Sequence, residues 1–114
     1  MRRDSERLSD ILEAAEKIAA RVARGREMFN ADEDTQIVLV HLIQVIGEAT
    51  AGLSDEFTSQ HSEIPWRQIV AVRNRVVHGY FEVDLDILWD VAAADVPRLA
   101  EQVRVIRAKF AGEP

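Results

Sequence analysis

Apolar and polar residues alternate along the first part of the chain with helical spacing. Apolar residues recur at steps of three and four, the period of one stripe on an α-helix. The stripe comprises Leu8, Ile11, Leu12, Ala15, Ile18, Ala19 and Val22. Gly25 is expected to end this helix. The polar segment 30–34 then predicts a connector in which Asp32 or Asp34 caps the next helix.

The second periodic segment, residues 37–46, is apolar around its whole circumference, since only His41 and Gln44 interrupt the aliphatic residues. Its continuation through residue 49 is longer than a typical buried strand and favours a helix. A helix of this kind must be covered on more than one side, and a second subunit is one available cover. We therefore expect His41 to be a packed or interface residue.

Residues 53–63 show no periodic apolar face and predict a loop with a short helix, in which His61 is exposed. Pro65 is well placed to begin the next helix, because proline is tolerated in a first helical turn. This helix is expected to run from about Trp66 to His78 and to stop at Gly79.

Asp84 is expected to cap a short helix, and Asp95 a final helix with Pro97 in its first turn. The apolar stripe of the final helix consists of Leu99, Val103, Ile106 and Phe110. Because the predicted connections are short, the chain is expected to be one all-α domain over residues 1–114. Its architecture would be an up-and-down bundle of four to five helices.

Composition narrows the classes of function. The chain has 114 residues, of which 47% are hydrophobic, and its net charge is −6. Because it contains no cysteine, disulfides, thiolate nucleophiles and thiolate metal sites are excluded. No apolar run approaches the length of a spanning helix, and the first residues lack a signal-peptide pattern. We therefore expect a cytoplasmic protein that does not bind a membrane.

An acidic chain of this kind needs a local basic patch if it is to bind RNA. One such patch lies between residues 64 and 81, where Arg67, Arg73 and Arg75 occur without any acidic residue. Arg67 and Arg75 are candidates for phosphate contacts, and a solvated charged surface is the alternative.

A helical wheel of residues 66–78 places Arg73 inside the apolar arc, beside Val72 and Val76. An unpaired buried charge is costly, so Arg73 needs a partner. Two alternatives follow. Arg73 either forms a buried ion pair, with Glu48 as the candidate partner and supporting residue, or enters a cleft or subunit interface and holds phosphate.

Asn74 and His78 form a polar edge beside Arg73 on the same wheel. His78 either bonds the last carbonyls of its helix or acts as a general acid or base. The three histidines show no metal-ligand spacing, and the five glycines are scattered. No cofactor is predicted.

Arg73, His78 and Tyr80 match the Arg-x4-His-x-Tyr motif of HEPN-domain ribonucleases. More closely, the chain resembles the HepT-like toxin family over almost its whole length. The segments that carry the resemblance are 46–49, 64–66, 73–80 and 81–89. The resemblance implies a homodimeric HEPN helical bundle, in which two copies of the motif meet in one cleft at the dimer interface.

The activity that the resemblance implies is metal-independent endoribonuclease cleavage by the pair Arg73 and His78, with Asn74 beside them. The ribose 2′-OH would attack the adjacent phosphate and leave a 2′,3′-cyclic phosphate. His78 would move a proton, and Arg73 would stabilise the charge that develops on the phosphate.

The toxins of the family that the chain resembles are usually encoded beside a minimal nucleotidyltransferase antitoxin of the MntA type. The resemblance implies a type VII toxin–antitoxin pair, in which the antitoxin transfers AMP onto Tyr80 and the two proteins can form a larger hetero-oligomer. Ordinary aromatic packing is the alternative role for Tyr80. A second interpretation of the chain is a non-catalytic dimeric HEPN module that binds a nucleotide or a nucleotidyltransferase.

Overall fold

A computed structural model describes residues 2–78 and 82–111 of the chain. Within this part, helices are joined by short connections and one small hairpin, so the all-α prediction is confirmed. No helix there is long and apolar enough to cross a membrane. The α-helices are α1 (Arg2–Val22), α2 (Arg26–Ala31), α3 (Glu33–Ala51), α4 (Asp55–Gln60), α5 (Trp66–Val70), α6 (Val72–Val76), α7 (Leu85–Asp90) and α8 (Val96–Ala111), and the strands are β1 (Val77–His78) and β2 (Glu82–Val83).

The hydrophobic core is centred on α1, which packs against α3 on one side and α8 on another. The predicted stripes are buried at Leu8, Ile11, Ala15 and Ile18 of α1 and at Leu99, Val103 and Ile106 of α8. The central helix α3 contacts α1, α2, α5, α6 and α7, which confirms that it is covered on several sides.

One face of α3 nevertheless remains open to solvent. Ile37 is 58% exposed, and His41, Gln44 and Glu48 follow it on the same side of the helix at steps of four and three. The prediction of a packed His41 is therefore wrong for the single chain, whereas an interface role stays a prediction.

The connection between α1 and α3 contains α2, which the sequence pattern did not indicate. Gly25 ends α1 as expected, with a φ of 96° that only glycine adopts without strain. The predicted polar connector is wrong at Asn30, which is helical. Phe29 of α2 is buried, and its ring centroid lies 5.2 Å from that of Trp89. The short α2 thus adds an aromatic anchor to the core.

Asp32 caps α3, as the sequence predicted. Its carboxylate accepts hydrogen bonds from the Thr35 hydroxyl at 2.7 Å and from the Asp34 backbone N–H at 3.2 Å. The bond from Thr35 is the main cause that lowers the pKa of Asp32. Asp84 caps α7 in the same way, because its carboxylate accepts from the Ile87 N–H at 3.0 Å.

The end of the chain differs from the prediction that Asp95 caps a separate final helix. A π-helical turn, Val91–Asp95, joins α7 directly to α8. Pro97 lacks an N–H, so the carbonyl four residues before it cannot form a regular α-helical bond. A wider turn immediately before the proline accommodates this loss while the helix continues.

The segment between α3 and α5 is anchored to the rest of the protein by polar groups. The buried carboxylate of Asp4 accepts hydrogen bonds from the backbone N–H and the hydroxyl of Ser54 at 2.8 and 2.7 Å. The Trp66 indole donates to the His61 carbonyl at 3.0 Å, and the His61 ring lies 4.6 Å from that of Phe57. The prediction of an exposed His61 is therefore wrong, since its ring is half-buried.

Candidate functional site

The helix predicted from Trp66 to His78 is divided into α5 and α6 by Ala71. Ala71 has φ −89° and ψ 1°, and its carbonyl accepts from the Asn74 N–H at 3.1 Å. Val70 and Val72 flank the break, and β-branched residues weaken a helix. On the α3 side, a Cβ at Gly47 would lie 3.3 Å from the Val70 carbonyl oxygen. Gly47 thus lets α3 approach the chain closely beside this break.

The helix ends at Val76, two residues before the predicted end. Val77 has the extended angles φ −112° and ψ 120°, and it pairs with Val83 while His78 pairs with Glu82. The Asp84 N–H donates to the Val76 carbonyl at 2.8 Å and closes the hairpin onto α6. His78 therefore lies on a strand, and the prediction that it occupies a helix end is wrong.

Arg73 and His78 both face solvent. The buried side of α6 consists of Val72 and Val76, which are 8% and 0% exposed. Arg73 lies beside this narrow apolar side, so its predicted place within the apolar arc is wrong. The wheel failed because it assumed one unbroken helix, whereas the break at Ala71 leaves Val70 exposed.

The buried ion pair with Glu48, one of the two alternatives for Arg73, is absent from the described chain. Glu48 is exposed and accepts a hydrogen bond from the Gln44 amide at 3.2 Å. Within residues 2–78 and 82–111, the side chains of Arg73, Asn74 and His78 form no hydrogen bond or ion pair. The polar groups of these three side chains are therefore not occupied by any described residue.

The two candidate phosphate contacts differ in their surroundings. Arg67 of α5 is exposed beside Trp66. Arg75 of α6 approaches the Asp95 carboxylate at 4.0 Å, and both side chains are about half exposed, at 55% and 46%. A surface pair of this length contributes little to stability, so Arg75 remains free to exchange partners. Tyr80, the candidate modification site, lies outside the described residues.

Arg75 also borders a cleft that the sequence reasoning missed. The cleft has a volume of about 440 Å³ and lies between α5–α6 on one side and the π turn with α8 on the other. Arg98 and Gln102 of α8 are on its rim, about 20 to 30 residues after Arg73 in sequence. The one feature of the sequence that could have indicated them is the basic composition of α8, which contains four cationic residues and a single acidic residue, Glu101.

The described residues contain no group of three or more histidine, aspartate or glutamate side chains placed to hold a metal ion. What this part of the protein offers is a cationic group that can bind phosphate and an imidazole that can transfer a proton. Arg73 on α6 and His78 on β1 lie on either side of the α6–β1 junction.

Comparison with known proteins gives one consistent result. Residues 11–106 match the family described as "Ribonuclease HepT-like". A protein of Thermococcus cleftensis named "Probable ribonuclease HepT" is 35% identical over 101 residues, covering 88% of this chain and 92% of the relative. A Caldanaerobacter subterraneus protein named "Putative RNase" is 34% identical over 103 residues, covering 90% and 92%. No solved structure gives a significant match.

Proposed function

Because the chain belongs to the ribonuclease HepT-like family, we propose that it is a metal-independent endoribonuclease whose catalytic groups are Arg73 and His78. The observation that carries this proposal is the exposure of both side chains at the α6–β1 junction, without an internal partner among the described residues. A buried, satisfied arginine would have favoured a structural role.

The proposed reaction is attack of a ribose 2′-OH on the adjacent phosphate. His78 accepts the proton of the 2′-OH or donates one to the leaving 5′ oxygen. Arg73 binds the phosphate oxygens and stabilises the charge that develops on them in the transition state. Asn74 donates to the same phosphate from the neighbouring position, and the products are a 2′,3′-cyclic phosphate and a 5′-hydroxyl.

The protein acts as a homodimer in this proposal, because two copies of the motif in one cleft supply both a general base and a general acid. The exposed face of α3 is the candidate interface. This face of α3 includes Ile37. Val70 of α5, which is 44% exposed, lies close to α3 at Gly47. Ile37→Asp is expected to give monomers in analytical ultracentrifugation, whereas Val105→Asp, at a residue 48% exposed on α8, leaves the dimer intact.

We further propose that the protein is the toxin of a type VII toxin–antitoxin pair and that a nucleotidyltransferase antitoxin silences it by transferring AMP onto Tyr80. Tyr80 follows His78 by two residues. An AMP group there adds negative charge and bulk beside the guanidinium and the imidazole, so it would exclude an RNA phosphate. Glu48, which is exposed on α3, is the supporting residue of the site in this scheme.

The decisive experiment is cleavage of total RNA in EDTA by native protein, Arg73→Ala and His78→Ala. Loss of general acid–base catalysis lowers a rate by about 10²–10⁴-fold, and loss of one oxyanion donor by about 10²–10³-fold. Arg104→Ala is the matched control, since Arg104 is an exposed arginine on α8 that pairs with Glu101 at 3.6 Å. All variants should unfold at the temperature of the native protein.

The alternative, a non-catalytic module that binds a nucleotide or a nucleotidyltransferase, predicts no cleavage by any of these proteins. Mass spectrometry of the purified native chain must accompany the assay. Unmodified Tyr80 with an inactive chain would exclude the ribonuclease, whereas an AMP adduct on Tyr80 would identify a silenced enzyme.

A further inference from the structure

The cleft between α5–α6 and α8 combines an apolar floor with a polar rim. Buried aliphatic residues form the floor, including Ile43 and Ile46 of α3 and Leu99 of α8. Its volume of about 440 Å³ falls within the range of small-molecule sites, about 300–1,000 Å³. The π turn forms part of its wall, and π turns occur frequently at functional sites.

The rim of the cleft carries no net charge. Its ionised groups are Arg75, Arg98, Glu63 and Asp95, two of each sign. Arg75 approaches Asp95, whereas Arg98 forms no ion pair within the described ranges. A bare phosphate would meet two carboxylates here, so a lone anion fits poorly. The site suits a neutral, flat molecule that needs donors and acceptors around its edge and apolar contact on its faces.

Two glutamines complete this set of donors and acceptors. Gln68 of α5 and Gln102 of α8 line the cleft from its two sides. Amides and carboxylates are the groups that read the edges of nucleobases: glutamine pairs with adenine, and carboxylates accept from the amino group of cytosine. Enzymes that bind an unstacked base hold it in this way, with apolar side chains against its faces.

We propose that this cleft is a subsite for one unstacked nucleobase of the RNA substrate. The proposal rests on the RNA cleavage proposed above, and it adds Arg98 and Gln102 of α8 to the substrate-binding residues. Arg98 holds the phosphate that flanks the bound base, and Gln102 hydrogen-bonds its edge. Sequence preference in cleavage then originates in the cleft, at a distance from the reacting phosphate.

Arg75 connects the cleft to the candidate catalytic residues. Residues that are two positions apart in sequence differ by about 200° around a helix. Arg73 and Arg75 therefore lie on nearly opposite sides of α6. The cleft is lined by Arg75 and not by Arg73, Asn74 or His78. An RNA strand that places a phosphate on Arg73 and a base in the cleft must therefore pass around one helix, about 10–12 Å across. Single-stranded RNA can do so, whereas a stacked duplex cannot.

Isoleucine methyl NMR provides a direct test, because Ile43, Ile46 and Ile69 line the cleft while Ile11 and Ile18 are buried away from it in α1. The labelled dimer of His78→Ala is titrated with each of the four ribonucleoside 5′-monophosphates, with inorganic phosphate, and with 2′-O-methyl tetranucleotides that cannot be cleaved. We expect the three cleft methyls to shift with at least one nucleotide, to remain unchanged with phosphate, and to shift at lower concentration with a tetranucleotide.

Three variants separate the cleft from general electrostatics. Gln102→Leu should weaken tetranucleotide binding at least about five-fold, since one base contact is worth about five-fold or more. Arg98→Ala should also weaken it, because this variant removes the contact to the flanking phosphate. Arg104→Ala, the exposed control on the same helix, should change it less than two-fold. Arg98→Ala should also reduce the slope of log affinity against log salt by about 0.7, the value for one phosphate of a single strand.

Four results would overturn the proposal: unchanged cleft methyls, shifts with phosphate alone, equal affinity for mononucleotide and tetranucleotide, and shifts that follow protein concentration without nucleotide. The last would mean that a second copy fills the cleft. RNA cleavage by native protein is measured in parallel. Cleavage without base binding removes only this inference. Base binding without cleavage removes the proposed ribonuclease and, with it, the substrate role of the cleft, which is then a nucleotide site of the non-catalytic module.

Discussion

Removal of the Asp4 carboxylate tests how the first turn of α1 stabilises a segment fifty residues away. In Asp4→Ala, the backbone N–H and the hydroxyl of Ser54 lose their acceptors, which lie at 2.8 and 2.7 Å. A hydrogen bond to a charged group contributes about 1.5–3 kcal/mol. Ser54 is half-buried, so water can replace part of this interaction. We expect a loss of about 2–4 kcal/mol in the free energy of unfolding.

The assay is urea unfolding followed by circular dichroism, with Asp10→Ala as the control. Asp10 is an exposed acid on the same helix, and such substitutions change stability by less than about 0.5 kcal/mol. Ser54→Ala and the double variant complete a mutant cycle. Because Ser54 also caps α4 through the Phe57 N–H at 3.1 Å, only the cycle isolates its interaction with Asp4.

A coupling free energy of about 0.5–3 kcal/mol is expected for groups in direct contact. If Asp4→Ala unfolds like Asp10→Ala, or if the coupling is near zero, the reasoning is refuted. The segment from Ser54 to Pro65 would then be held chiefly by its apolar residues Phe57 and Ile64 and by the bond from the Trp66 indole to the His61 carbonyl.

Three further substitutions test other local interactions. The pKa of Asp32 is lowered from 3.8, so the stability that its carboxylate contributes is complete above that value and is lost as the pH falls through the folded pKa. Asp32→Asn should therefore show a flatter dependence of Tm on pH between about 2.5 and 5, and an unchanged profile would exclude the contribution. Trp66→Phe removes the 3.0 Å bond to the His61 carbonyl and should cost about 1 kcal/mol in urea unfolding; no loss would mean that water replaces the indole. Gly25→Ala places an alanine at a backbone φ of 96° and should lower the free energy of unfolding by about 1–2 kcal/mol. Unchanged stability in the same assay would contradict this expectation.

The long helices could be predicted because their signals are local. The stripes of α1 and α8, the continuous apolar run of α3, and the caps Asp32 and Asp84 are read within one or two helical turns of sequence. The short α2 escaped prediction because its six residues hold too little periodicity to recognise. The buried ring of Phe29 packs against Trp89, which is sixty residues later in the chain, so the sequence near α2 does not reveal this contact.

The candidate site was predicted less completely, because its geometry depends on tertiary contacts. The motif identified Arg73 and His78, but nothing local indicated that α3 would press against the chain at Val70 or that β1 would pair with β2. The predicted helix is interrupted at Ala71, beside the first contact, and ends at Val76, where the second begins, and Arg73 between them is exposed. The cleft residues Arg98 and Gln102 belong to another helix and become neighbours of Arg75 only in the folded protein.

The π turn between α7 and α8 has a consequence for changes in chain length. Such a turn holds one residue more than a regular α-helical turn, and the helices on either side keep their phase. Deletion of the exposed Ala94, combined with Pro97→Ala, should therefore give one continuous α-helix in which Leu88 and Leu99 both stay in the core. Homologues that are one residue shorter here would then align in structure on both sides of the gap, so this turn is a place where the family can gain or lose a residue without rebuilding its core.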